Sequence, residues 1–214
     1  LNVFLVLLMP VHAVLVAVLT RSRTVRRRWA LTGFATVGAA TPFLMFTQTQ
    51  LFQVGWISPL GTRTFGEVLQ QQYFDDALPV ALLSGLLVAT AAWMSRRGIG
   101  TVAGPGAGRL IIVAGAWMLL PTTALLLYSA LQHPIYYPRY LAFTAPAAAL
   151  LLGYCVTAVG RSAAGVTALL LVFAVAATPN YLAQRGPYAK EGMDFSQVAD
   201  VITRHAAPGD CLIL

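Results

Sequence analysis

Long uncharged stretches separate six short charged segments in this chain, and two kinds of charged segment alternate strictly along it. Nine arginines and no acidic residue occur in segments 21–28, 96–109 and 161–162. All seven acidic residues and five basic residues occur in segments 50–76, 131–140 and 179–214. Short loops rich in arginine stay on the cytoplasmic side of a membrane protein. The alternation therefore predicts a chain that crosses a membrane several times, with its arginine-only segments in the cytoplasm and its acidic segments outside.

The composition is that of a membrane protein and argues against a nucleic-acid partner. Of the 214 residues, 58% are hydrophobic and 10% are charged, and the mean hydropathy is +0.73. Such values are typical of chains that cross a membrane. The net charge of +7 comes from arginines in loops between apolar stretches, where they set topology and contact anionic lipid head groups. We therefore expect membrane lipids, and no nucleic acid, among the partners.

Six uncharged segments approach the length of a transmembrane helix. Such a helix needs about 20 apolar residues to cross roughly 30 Å of hydrocarbon. The six segments are 1–20, 29–48, 77–95, 110–131, 140–160 and 163–178. The last is the shortest, and it can be extended to Leu182. The sequence thus predicts an all-α polytopic membrane protein, with about six transmembrane helices in a domain of residues 1–178.

The acidic segment 50–76 also has a helical pattern. Thr64 and Glu67 have the T-x-x-E spacing of a capping box, and apolar residues follow at helical intervals. This pattern predicts a short amphipathic helix over 65–74. The helix either lies on the outer membrane surface or packs on the transmembrane helices.

The last segment, 179–214, predicts the beginning of an α/β domain outside the cytoplasm. Asp194 has the position of an N-cap for a helix whose apolar stripe runs to Ala206. The turn at 208–209 ends this helix, and the apolar run 211–214 predicts a strand. We expect this domain to be truncated.

One outer connection groups an arginine with tyrosines. It joins the fourth and fifth predicted helices and contains His133, Tyr136, Tyr137, Arg139 and Tyr140. An arginine can bind a phosphate through two N–H groups, and aromatic faces can stack on a sugar or an isoprenoid. The same pattern also fits an aromatic belt whose arginine reaches the lipid head groups. Both interpretations are open at this point.

Weaker candidates lie elsewhere in the chain. Trp56 and Arg63 are candidates to line a substrate groove. Asp75 and Asp76 precede the third predicted helix, where paired carboxylates can bind a divalent cation or act as a base, but more often cap the helix. His12 is an ionisable residue inside the first predicted span, and such residues are functional candidates by default. We expect no cofactor apart from a possible divalent cation.

Three passages resemble a family of membrane enzymes. The passages are YYPRYLAFTAPAAALLLGY (136–154), ATPNYLAQRGPYAKEGMDFSQVADVITRHAAPGDCLIL (177–214) and QVGWISPLGTRTFGEVLQQQYF (53–74). They are similar, in this order, to the beginning of a late transmembrane helix, to the passage into an outer domain and to an outer-loop helix of that family. The family is the bacterial GT-C class of polyprenyl-phosphate-sugar-dependent glycosyltransferases, related to protein O-mannosyltransferases and aminoarabinose transferases.

The resemblance implies an enzyme of the bacterial cytoplasmic membrane that moves a mannose-like sugar from a polyprenyl-phosphate donor to a glycan, lipid or protein acceptor outside the cytoplasm. It implies that Arg139, with the neighbouring histidine and tyrosines, binds the donor. In that family the catalytic aspartate lies in the first outer loop, which we expect upstream of Leu1, so no catalytic residue is assigned. A transporter or lipid flippase and a non-catalytic membrane scaffold are the alternative functions.

Overall fold

The computed structural model describes residues 3–99, 106–189 and 192–207, and this part of the chain folds into helices without a β-strand. Five of the helices are long and apolar enough to cross a membrane. They are Arg23–Gln48, Leu78–Arg96, Ala107–Leu131, Pro138–Gly160 and Ala163–Ala183. The predicted class, a multi-pass helical membrane protein, is therefore confirmed, with five helices of full length.

The first predicted span, 1–20, forms a shorter helix than expected. A 3₁₀ helix at Val3–Leu7 leads into helix α1 at Leu8–Leu19. Pro10 lacks the N–H that would bond to the carbonyl of Val6, which weakens α-helical geometry at this point. At its usual rise per residue α1 covers about 18 Å, and the 3₁₀ residues add about 10 Å. The prediction of six full-length spans is corrected to five, with α1 as a shorter apolar helix.

Helix α2 (Arg23–Gln48) begins before the predicted start at residue 29, because Ser22 caps it. The Ser22 hydroxyl accepts a hydrogen bond from an N–H in the first turn of α2 (3.4 Å). Arg26 donates to the backbone carbonyl of Thr20, which follows the last residue of α1 (2.7 Å). The helix dipole favours a cation at this C-terminus. The arginine segment therefore joins two consecutive helices as well as carrying the topology signal.

The segment between α2 and the next long helix contains one continuous helical run. A 3₁₀ helix at Leu51–Val54 precedes it. The run begins with α3 at Thr62–Gly66, continues through a π-helical turn at Glu67–Gln71 and ends with α4 at Gln72–Phe74. The helix predicted over 65–74 is therefore present, and it begins three residues earlier.

The start of α3 differs from the predicted capping box. Gly61 is the N-cap, and the Thr64 hydroxyl accepts a hydrogen bond from the Gly61 N–H (3.1 Å). Glu67 lies at the C-terminal end of α3, where it cannot reach the N-terminal N–H groups. The T-x-x-E prediction was wrong because the helix already begins at Thr62.

Gln72 attaches this helical run to the transmembrane helices. Its side chain is buried, and its amide nitrogen donates to the hydroxyl oxygens of Thr122 (3.0 Å) and Thr144 (3.4 Å). Its carbonyl oxygen accepts a hydrogen bond from the Tyr136 hydroxyl (3.1 Å). Val68 packs nearby against the apolar cluster that contains Tyr136. Of the two placements that the sequence allowed, packing on the transmembrane helices is the one observed.

Four long helices complete the bundle, and a 3₁₀ helix at Pro138–Thr144 precedes the third of them. They are α5 (Leu78–Arg96), α6 (Ala107–Leu131), α7 (Ala145–Gly160) and α8 (Ala163–Ala183). Helix α6 packs against α1 and α7, and α7 packs against α5 and α8. Helix α8 ends at Ala183, in agreement with the extension to Leu182 that the sequence allowed.

Consecutive long helices reverse direction, so the bundle has two ends of different charge. Leu19 and Arg109 line one groove, which places the end of α1 beside the start of α6. The Tyr128 hydroxyl donates to the Gln48 side chain (2.8 Å), which places the end of α6 beside the end of α2. The arginine-only segments lie at the first of these ends, called the arginine end below. Segment 50–76 lies at the second, called the acidic end.

Helix α9 (Phe195–His205) confirms the helix predicted after Asp194. The Asp194 carboxylate accepts hydrogen bonds from the N–H groups of Ser196 (2.9 Å) and Gln197 (3.3 Å), as an N-cap does. The Ser196 hydroxyl, followed by these N–H groups, holds the pKa of Asp194 below its usual value. The predicted turn at 208–209 and strand at 211–214 lie outside the described residues, so the α/β domain stays a prediction.

Replacing Gln72 should loosen the attachment of the helical run. A Gln72→Leu substitution removes the acceptor of the buried Tyr136 hydroxyl and the amide that donates to Thr122 and Thr144, which costs about 1–3 kcal/mol. We expect the protein in lipid nanodiscs to unfold at a lower temperature than the wild type. Gln71→Leu is the matched control, because the Gln71 side chain makes no hydrogen bond within the described residues. Equal unfolding temperatures of the two variants would contradict the attachment.

Candidate functional site

A cavity of about 530 Å³ opens at the acidic end of the bundle. One wall runs from Trp56 through α3 to Glu67, and the other is the connection between α6 and the helix at Pro138–Thr144. The volume falls within the range of about 300–1,000 Å³ that is usual for ligand pockets. The lining side chains that carry chemistry are Trp56, Arg63, Glu67, Tyr136 and Tyr137.

A row of aromatic rings supports one side of this cavity. Trp56 and Tyr137 meet edge to face with their centroids 5.1 Å apart, and Tyr137 meets Tyr140 at 5.7 Å. Tyr140 in turn stacks on Phe4 at 4.7 Å. Each such pair contributes about 0.5–1.5 kcal/mol beyond its buried area. The row therefore orients Trp56 and Tyr137 and connects the cavity to the 3₁₀ helix before α1.

Arg63 and Glu67 place a cation and an anion in the cavity, one helical turn apart. The ion pair found among the described residues is Asp200 with Arg204 on α9, so neither cavity residue has an ion-pair partner there. The Arg63 guanidinium can donate to a phosphate, and the Glu67 carboxylate can accept from hydroxyl groups. The cavity thus offers both kinds of polar contact beside an aromatic surface.

Tyr136 closes the bottom of the cavity. Only 3% of its surface is exposed, and its hydroxyl donates to the Gln72 carbonyl oxygen. Burial, and to a smaller extent the charge of Glu67 and the neighbouring Tyr73, raise the pKa of Tyr136 well above its usual value. The phenol therefore stays neutral and keeps its hydrogen bond to Gln72 at every physiological pH.

Four of the residues proposed from the sequence come together in this cavity: Trp56, Arg63, Tyr136 and Tyr137. In the sequence, Trp56 and Arg63 lie more than seventy residues before Tyr136 and Tyr137. Tyr140 lies behind the cavity, where it supports Tyr137. His133 is not among the lining residues, and its Nδ1 lies 3.4 Å from the carbonyl oxygen of Pro134.

Arg139, the favoured cation of the sequence argument, does not line the cavity. It lies in the 3₁₀ helix at Pro138–Thr144, whose buried residues are Pro138, Leu141 and Thr144. A 3₁₀ helix has three residues per turn, so these three share one face and Arg139 lies off it. The Arg139 side chain is exposed, with no ion pair among the residues that the structure describes.

Asp75 and Asp76 form a turn and do not cap α5. Both have left-handed backbone conformations, with φ of 46° and 61°. The N-cap of α5 is Ala77, and within the described part of the chain no side chain caps this helix. Asp75 accepts a hydrogen bond from the Gln184 side chain beyond α8. The preferred N-cap interpretation was therefore wrong, and the described residues include no cluster of three or more potential metal ligands.

Glu67 is the functional candidate that the sequence argument missed. The sequence assigned it only to the capping box, although its four-residue spacing from Arg63 already places the two on one helical face. The stretch 57–62, which forms much of the cavity wall, carries no comparable signal. Only the folding of this stretch against Tyr136 and Tyr137 reveals its role.

Comparison with known proteins adds no relative to this picture. No protein-family model matches the sequence, and no curated protein or solved structure is significantly similar to it. The resemblance to GT-C glycosyltransferases therefore rests on the quoted passages alone, and the chemistry of the cavity has to carry the argument for function.

The raised pKa of Tyr136 predicts a loss of stability in alkaline solution. In the unfolded chain a tyrosine loses its proton near pH 10, whereas in the folded protein Tyr136 keeps it, so the free energy of unfolding falls as the pH rises above 10. We expect Tyr136→Phe to make this fall shallower, as measured by thermal unfolding between pH 8 and 11. Tyr188→Phe, which changes an exposed tyrosine, is the control. The same pH dependence in Tyr136→Phe and the wild type would contradict the burial.

Proposed function

We propose that the cavity at the acidic end binds a polyprenyl-phosphate-linked sugar, and that the protein is a membrane glycosyltransferase that uses this donor outside the cytoplasm. The observation that carries the proposal is the meeting of Arg63, Glu67, Trp56 and Tyr137 in one cavity at an end of a membrane-spanning bundle. These groups match the phosphate and the sugar of such a donor.

Arg63 is the proposed phosphate contact. Its guanidinium lines the cavity and has no ion-pair partner among the described residues, so it can donate two parallel hydrogen bonds to a phosphate. Arg139 lies at the same end of the bundle but outside the cavity. Its exposed position fits the second interpretation of the sequence, an arginine that reaches the lipid head groups.

Trp56 and Glu67 are the proposed sugar contacts. The Trp56 residue is 62% exposed and meets Tyr137 edge to face, so at least one face of its ring is available for a sugar. The Glu67 carboxylate can accept hydrogen bonds from sugar hydroxyl groups. A stacked ring together with a hydrogen-bonding carboxylate favours a neutral hexose or pentose over a purely apolar ligand.

An exposed apolar face of the helical run would place the cavity next to the lipid part of the donor. Phe65 and Leu69 lie on the helical run beside the cavity residues and are 73% and 54% exposed. Because they are four residues apart, they share a face of this run. An exposed apolar face on a helix at the end of the bundle can insert into the boundary between head groups and acyl chains. This face would hold the helical run, and with it the cavity, at the membrane boundary where a polyprenyl phosphate lies.

The proposed orientation follows from the charges at the two ends. Short arginine-rich loops stay in the cytoplasm, so the acidic end and its cavity lie outside. The acceptor would then be a glycan, lipid or protein outside the cytoplasm, and the membrane would be the bacterial cytoplasmic membrane. In the proposed transfer an acceptor hydroxyl oxygen bonds to the sugar carbon as the bond from that carbon to the donor phosphate breaks, and the hydroxyl proton passes to solvent. Polyprenyl phosphate leaves, and Arg63 would stabilise the negative charge that it gains.

Removal of the Arg63 guanidinium tests this proposal. We expect Arg63→Ala to bind a polyprenyl phosphate mannose about 10- to 100-fold more weakly than the wild type, because a hydrogen bond to a charged group is worth about 1.5–3 kcal/mol. The measurement is equilibrium binding to the full chain in nanodiscs. Arg139→Ala is the matched control, since it removes the same charge from the same end but outside the cavity.

Two further outcomes would decide against the proposal. An equal loss of affinity in Arg139→Ala and Arg63→Ala would show that general charge attraction, and not the cavity, holds the donor. Equal affinity of the wild type for the mannose-bearing lipid and for bare polyprenyl phosphate would remove the sugar contacts, and with them the argument for a transferase. Trp56→Ala should reduce affinity for the mannose-bearing lipid only.

A further inference from the structure

A second and larger groove lies at the arginine end, between α1 and α6. Its volume is about 680 Å³, and its lining is almost entirely apolar. The polar side chains in it are His12, Arg109 and the indole of Trp117. The groove shares no residue with the cavity at the acidic end, so an argument about its ligand does not rest on the proposed glycosyltransferase.

The length of the groove matches one leaflet of a bilayer. Along α1 it extends from Leu19, at the arginine end, to Leu8. Eleven residues at the usual helical rise correspond to about 16 Å, which is close to half of the roughly 30 Å hydrocarbon thickness. Arg109 lies at the arginine end of the groove, and Trp117 lies about 12 Å further along α6.

Positive charge surrounds the end of the groove that carries Arg109. Segment 21–28, which begins two residues after Leu19 and includes the first residues of α2, contains five arginines. Arg26 among them binds a backbone carbonyl, and Arg21, Arg23, Arg27 and Arg28 are exposed. Segment 21–28 contains no acidic residue to neutralise them. Each arginine near a membrane surface contributes about 1 kcal/mol of attraction to anionic lipid.

We propose that this groove binds one anionic phospholipid of the leaflet at the arginine end. The phosphate would accept hydrogen bonds from Arg109, and one acyl chain would follow the groove between α1 and α6. Charge complementarity selects an anionic head group over a zwitterionic one, because the attraction of the neighbouring arginines is not cancelled by a cationic choline. The apolar lining and its length select an acyl chain over a soluble anion such as free phosphate.

The other two polar side chains of the groove, His12 and Trp117, have different roles in the proposed lipid site. His12 is an exposed side chain seven residues before Leu19, and its imidazole is available to an ester oxygen of the lipid. The Trp117 Nε1 atom is buried and has no hydrogen-bond partner among the described residues, so the carbon atoms of its ring, and not its N–H, form the groove surface. The acyl chain of the bound lipid would fill the groove between α1 and α6.

Native mass spectrometry of the full chain in mixed lipid provides the test. The probes are phosphatidylglycerol and phosphatidylcholine with identical acyl chains, and inorganic phosphate. We expect one phosphatidylglycerol to remain bound with about tenfold preference over phosphatidylcholine, and Arg109→Gln to remove most of that preference. Arg96→Gln is the matched control, because Arg96 ends α5 near the same membrane surface and does not line the groove. It should reduce the preference by less than Arg109→Gln does, because Arg96 can act only through long-range attraction, at most about fivefold.

A second variant tests the place of the acyl chain. Leu15→Trp fills the middle of the groove, and we expect it to reduce retention of both phospholipids while the unfolding temperature stays near that of the wild type. Retention of inorganic phosphate in place of the lipid would overturn the proposal. So would equal retention of the two lipids by the wild type, an unchanged preference in Arg109→Gln, or unchanged retention in a folded Leu15→Trp variant.

Discussion

A charged side chain at the centre of a bilayer costs about 2.5–3.5 kcal/mol on insertion scales, and this cost determines where almost every charge of the protein lies. The long helices keep their arginines in the first or last two turns, as α2 does with Arg23–Arg28 and α5 does with Arg96. Because consecutive helices reverse direction, the arginine-only segments meet at one end and segment 50–76 lies at the other. The two candidate ligand sites follow this division.

A cavity forms at the acidic end because buried polar contacts attach segment 50–76 to the bundle. Gln72 joins the helical run α3–α4 to Thr122 on α6, to Thr144 before α7 and to Tyr136. An unpaired polar group there would be costly, so the contacts are made together or not at all. These hydrogen bonds hold the helical run so that Arg63 and Tyr136 line the same cavity. The groove at the arginine end does not depend on such contacts, because α1 and α6 themselves form its walls.

The sequence predicted those features that depend on local pattern or on charge alone, such as the long helices, the Asp194 cap and the extension of α8. The sequence did not predict features that depend on contacts between distant parts of the chain. Thr64 was placed at the N-cap, although Gly61 occupies it, and Asp75 and Asp76 were placed as caps, although they form a left-handed turn. Arg139 was the favoured cation because of its aromatic neighbours in sequence; the structure shows it exposed and outside the cavity, and its role in donor binding stays a prediction.

The placement of the two ends on opposite sides of the membrane is the claim on which both proposed sites depend. It is tested most directly by labelling single cysteines in intact cells, in a background where Cys155 and Cys211 are replaced by alanine. The residues to be changed are Ser22, at the arginine end, and Thr62, in the wall of the cavity. A membrane-impermeant maleimide should label Thr62→Cys without permeabilisation and Ser22→Cys only after it. Labelling of both from the same side would contradict the two-ended arrangement, and the reverse pattern would place the cavity in the cytoplasm.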